Sequence, residues 1–106
     1  MKRSVDRPAV EDLLFAAVAE VNRQLPHEQR LEPSLETPLT GAGGRLDSLG
    51  VLNLLVLAER RIQNLYGVDV MLADDEALGR EPSPFNTLGS LADHIQGVLE
   101  REVDGS

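Results

Sequence analysis

One stretch near the middle of the chain could do chemistry. It reads Gly43-Gly44-Arg45-Leu46-Asp47-Ser48-Leu49-Gly50. A glycine-bearing loop runs into Asp-Ser-Leu, and a long apolar run follows at once. Asp47 or Ser48 can cap that run as a helix, because a short side-chain oxygen accepts from the free N–H groups of the first turn. The Ser48 hydroxyl is thereby placed at the mouth of a helix, beside a loop, where an enzyme can reach it. Free N–H donors and the helix dipole favour a negative group there, so a phosphate ester on Ser48 would sit in a favourable field. The same three residues also read as a plain helix cap, and the rest of the chain has to decide between the two.

Other candidate chemistry is thinner. A hydrolase would use Ser48 with His94 and an aspartate. No Gly-x-Ser-x-Gly elbow is present, and a domain this small offers little room for a substrate cleft. His94 is expected as a solvated surface residue, off the apolar stripe of its helix. His27 follows Pro26 and is also expected to be exposed. Asp74-Asp75-Glu76 could suggest calcium. The cluster lacks the spaced oxygen ligands and turn glycine of a calcium loop, so a solvated helix start is the better reading. No catalytic residue and no metal ligand is assigned.

Size and composition narrow the classes. The 106 residues suffice for one domain with one modest core. Residues 1–106 are read as a single domain, with its core over about 8–101 and loose tails at 1–6 and 102–106. Hydrophobic residues make up 42% and aromatics only 3%, so Leu, Val, Ile and Ala must build the core. The formal charge of −8 disfavours nucleic acid and anionic membrane surfaces and fits partners with basic patches. With no cysteine, the chain has no disulfide frame, thiolate metal site or Cys nucleophile. No apolar run reaches the length of a membrane span and no signal-peptide core opens the chain, so a cytoplasmic protein is expected. Met1 fits a complete chain.

The elements that must position Ser48 follow from periodicity. Residues 1–7 are polar and expected to fray, and Pro8 suits a first helical turn. Val10, Leu13, Leu14, Ala17, Val18 and Val21 form one face of a helix that Pro26 should end. Phe15 lies beside that stripe and is expected half-buried. Residues 26–46 hold three prolines and three glycines, with Leu31, Leu35, Leu39 and Leu46 as apolar pins. A loop this long is often functional. A second helix should run from Ser48 to Tyr66, stopped by Gly67. Its first half is apolar nearly all round. Not all of it can point inward, so the surface around Leu52 and Val56 is expected to serve partners. Val68 and Val70 alternate with Asp69 as a short extended piece, and residues 74–78 form a turn or two ending at Gly79. Thr87 caps a last helix with the stripe Leu88, Leu91, Ala92, Ile95, Val98 and Leu99. The sum is all-α, a small four-helix bundle of three long helices and one short one, with a long first loop.

In that order of elements the chain resembles the acyl carrier protein family over roughly residues 10–100. The resemblance rests on Asp47-Ser48-Leu49 opening the second helix. It rests too on a short acidic third helix and on the closing Thr87-Leu88-Gly89-Ser90-Leu91-Ala92-Asp93-His94-Ile95. It implies that Ser48 carries a 4′-phosphopantetheine arm, added from coenzyme A by a phosphopantetheinyl transferase. The arm's thiol would hold an acyl group as a thioester. The protein, without catalytic activity of its own, would deliver that group to acyl-loading, condensing or acyltransferase enzymes of a fatty-acid, polyketide or other specialised pathway. The resemblance further implies that Asp47, Leu49, Leu52, Val56, Glu59, Asp74 and Asp75 serve transferase and partner recognition, and that the protein is a monomer. The residues suit this: a chain without its own thiol would borrow one. At ~0.8 kcal/mol per buried methylene, an eight-carbon chain hidden among Leu and Val would gain at most roughly 6 kcal/mol.

The sequence departs from the family in its charges. Ser48 to Tyr66 carries Glu59 against Arg60 and Arg61, a net +1, where the family is acidic. Asn53 stands where an acidic residue is common, and the negative charge lies at Asp69, Asp74, Asp75 and Glu76. The second helix is also about one turn longer than is usual in the family, around Gln63-Asn64-Leu65-Tyr66. These features suggest a specialised stand-alone carrier. Two alternatives stay open: a peptidyl or aminoacyl carrier, less favoured because Arg45-Leu46-Asp47 separate Gly43-Gly44 from the serine, and an unmodified helical adaptor in which Ser48 is only a cap.

Overall fold

The computed structural model describes residues 5–39 and 47–104, the side chains of Ser48, Val103 and Asp104 apart. The expected pin Leu46 lies outside them. Helix α1 spans Arg7–Asn22, α2 Ser48–Tyr66, α3 Asp75–Leu78 and α4 Leu88–Asp104, with a 3-10 turn at His27–Gln29. This is the expected all-α bundle of three long helices and one short one, and α1 packs against both α2 and α4.

Each long helix exists because it has a face to bury. All six expected stripe residues of α1 are buried, as are all six of α4. Val51, Leu54, Leu55, Ala58 and Ile62 of α2 close the core between them. Burying a Leu, Ile or Val side chain stabilises by about 1.5–3 kcal/mol, and this aliphatic core does so without Cys or Trp. Phe15 is half-buried, as expected.

The ends of the helices differ from expectation in three places. Arg7 is not frayed. It is the first residue of α1, and its guanidinium donates to Glu11 at 2.9 Å, to Gln96 at 3.2 Å and to Asp93, tying α1 to α4. The bond to Asp93 raises its already high pKa. Helix α1 stops at Asn22, short of Pro26. Gln24 and Leu25 donate to the carbonyls three residues back, at 2.9 and 3.2 Å, so the α pattern tightens before the proline forbids it. At the other end of the chain, α4 continues past Arg101 to Asp104. Gly67 stops α2 as expected, at φ 70° in the left-handed region that glycine tolerates. Residues 67–71 form no strand.

The first loop is fastened at both ends of its described part. Asn22 Nδ2 donates to Leu31 O at 2.9 Å and Leu31 N donates to Asn22 Oδ1 at 2.8 Å. Leu31 and Leu39 are buried and Leu35 packs against the core, so these three pins hold. The loop then pairs with the start of α4. Leu39 N donates to Asn86 O at 2.7 Å, Leu88 N to Thr37 O at 3.0 Å, and Gly89 N to Leu35 O at 2.7 Å. Thr87 caps α4: Ser90 N donates to Thr87 Oγ1 and Thr87 N donates to Ser90 Oγ, both at 3.0 Å.

Two glycines of α4 should respond with opposite signs. A Cβ on Gly89 would lie 2.8 Å from the Leu35 carbonyl oxygen, whereas one on Gly97 would meet nothing within 4 Å. Gly89→Ala should destabilise by about 1–3 kcal/mol through that clash. Gly97→Ala should stabilise by about 0.5–1 kcal/mol through helix propensity. Urea unfolding of the two variants checks both.

Candidate functional site

The site is built on the first half of α2. Asp47 precedes the helix in extended conformation, and Asp47 Oδ1 accepts from Gly50 N at 2.8 Å. Of the two candidate caps, Asp47 makes the bond, and Ser48 is the first helical residue. Asp47 is exposed. Its carboxylate adds a negative charge to the positive end of the helix dipole.

The apolar run after it divides into two faces. Spacings of three and four carry Val51, Leu54, Leu55, Ala58 and Ile62 into the core. The same geometry turns Leu49, Leu52 and Val56 outward, where they are 76%, 50% and 44% exposed. Three large aliphatic side chains outside a domain with so small a core form a surface suited to contact with another molecule. Asp47, Ser48, Leu49, Leu52 and Val56 thus share the opening half of α2.

The other expected recognition residues do not join that group. Glu59 lies further along α2, and its Oε2 accepts from Leu72 N at 2.8 Å. Asp74 caps α3, accepting from Ala77 N at 2.9 Å, and Asp75 is exposed beside it. Glu76 pairs with Arg80 at 2.6 Å. Among the described residues no group of three or more His, Cys, Asp or Glu is placed to hold a metal.

His94 corrects the sequence reading. It is 6% exposed, not solvated. Nε2 donates to Leu72 O at 2.7 Å, since a carbonyl can only accept, and the ring meets Phe85 edge-to-face at 5.9 Å. Leu91, His94 and Val98 are spaced by three and four, which sets His94 at the edge of the buried face and not off it. A polar letter hid it, because a buried imidazole needs a partner that local periodicity does not show. His27 is exposed, as expected.

Two substitutions separate support from surface. His94→Ala removes the bond to Leu72 O and leaves a cavity beside Phe85; the expected loss is about 2–4 kcal/mol. Leu49→Ser should change stability by no more than about 0.5 kcal/mol, because its side chain is already in water. Chemical denaturation of both variants measures this.

Among the described residues no helix is long and apolar enough to cross a membrane. Searches of protein-family models, of curated proteins and of solved structures each return no match to this chain. The architecture itself is that of a small helical bundle, a shape compatible with a carrier or adaptor protein.

Proposed function

We propose that this protein is a carrier that takes a 4′-phosphopantetheine arm on Ser48. The observation that carries the reading is the opening of α2, where Ser48 begins the helix directly after the capping Asp47. Beside it stand the outward-facing Leu49, Leu52 and Val56. When bound, the arm supplies a thiol on which an acyl group rides as a thioester. Ser48 supplies the oxygen of the phosphodiester link. Asp47 fixes the start of the helix, and so the place of Ser48, by its bond to Gly50 N. Leu49, Leu52 and Val56 offer the transferase and the acyl-handling enzymes an apolar strip to close upon. The exposed Asp75 and the capping Asp74 add negative charge that suits basic partner surfaces. In this reading the protein works as a cytoplasmic monomer, has no catalytic activity of its own, and serves dedicated partners, since α2 lacks the usual acidic flank.

The exposed strip would serve an unmodified adaptor equally well, so the decisive measurement is made on Ser48. The protein is incubated with coenzyme A and a broad-specificity phosphopantetheinyl transferase, and its intact mass is recorded. A gain of one phosphopantetheine, absent in Ser48→Ala, is the expected outcome. A folded protein that gains nothing from this transferase or from one of the source organism would favour the adaptor.

A further inference from the structure

The far half of α2 holds a second feature, and it stands independently of the carrier reading. Leu57, Arg60, Arg61 and Asn64 share one side of α2 and, with Glu20 of α1, line an open depression of about 230 Å³. In a chain of net charge −8, two adjacent guanidiniums on one small concavity are unusual. Neither has a close ion-pair partner among the described residues. Arg60 is exposed and forms no ion pair with the described residues. Arg61 reaches Glu20 only at 3.6 Å, with both side chains about one-third exposed. Its Nε is buried and bonds to nothing among the described residues. A buried donor without an acceptor is unfavourable, so the guanidinium would gain if it turned to present this donor to an acceptor in the depression.

We propose that the depression binds the carboxylate of a short aliphatic acid. The charges that line it are Arg60, Arg61 and Glu20, a net +1, which suits a single negative charge; a phosphate dianion would be left in excess beside Glu20. A carboxylate also matches the planar fork of a guanidinium, which binds its two oxygens in parallel. Leu57 and the arginine stems give the acid's carbons an apolar wall, and Asn64, which also lines the depression, adds an amide donor. The acid is either a free small molecule or a glutamate side chain on a partner protein, and both present the same group.

Arginine Nε–H resonances of the full-length protein, followed by NMR at constant ionic strength, test this. Butyrate should shift the Arg61 Nε–H signal saturably, butyramide should not, and phosphate should bind more weakly. Arg61→Lys keeps the charge but loses the fork and should weaken butyrate binding, followed through the backbone amides of α2, by about tenfold. Arg60→Gln should weaken it about threefold, and carries the test if the lysine variant fails to fold. Glu20→Gln should raise the site's net charge and move its preference toward phosphate. A blocked glutamate (N-acetyl, N-methylamide) that binds more tightly than butyrate assigns the group to a partner's side chain; equal or weaker binding assigns it to a free acid. The proposal is overturned if butyrate gives no saturable shift, if Arg60→Gln and Arg61→Lys both bind it as the native protein does, or if butyramide binds equally.

Discussion

The second half of the molecule hangs on one peptide unit pair, that of Leu72. Its side chain is fully buried, its N–H donates to Glu59 of α2, and its carbonyl accepts from His94 of α4. Between Tyr66 and Leu88 the chain has only the four-residue α3 to organise it. So short a helix cannot fix a connection by its own packing. Two side chains from the two neighbouring long helices do so instead, each meeting a backbone group that would otherwise be buried without a partner. Phe85, seated against the His94 ring, completes the closure.

That arrangement explains what the sequence made legible and what it hid. The stripes of α1 and α4 were legible because burial along a helix repeats every three to four residues, and every predicted stripe position is buried. The caps were legible because Asp47, Thr87 and Gly67 act on atoms close by in sequence. The pins Leu31 and Leu39 stood out as apolar letters in a polar loop. The pairings of Glu59 and His94 with Leu72 were hidden, because they join residues 13 and 22 positions apart that carry no shared period. Asp47 lies at the surface, whereas Glu59 holds the backbone of Leu72. In sequence both are merely acidic residues on or next to the second helix. Ser48 is a different case. Its position at the start of α2 was legible, while the proposed modification would depend on a separate enzyme and is not written in the fold.

Charge is divided along α2 and the segment after it. The opening of the helix is apolar outward, its far half carries Arg60 and Arg61, and the following connection carries Asp69, Asp74, Asp75 and Glu76. Such separation of apolar, cationic and anionic segments would constrain the pose of a macromolecule that met more than one of them. A surface of one sign attracts in many orientations; a surface of three kinds fixes one.

The pairing of the first loop with the start of α4 also bears on how the protein is made. The carbonyls of Leu35 and Thr37 find their donors at Gly89 and Leu88, some fifty residues later. During synthesis from the N-terminus, α1 and α2 can be complete while residues 31–39 still lack the backbone they dock on. Residues 31–39 can settle on their partners only after the start of α4 has begun to leave the ribosome. If Ser48 is the residue modified, a transferase would meet residues 31–39 in their final place only once the start of α4 has been made.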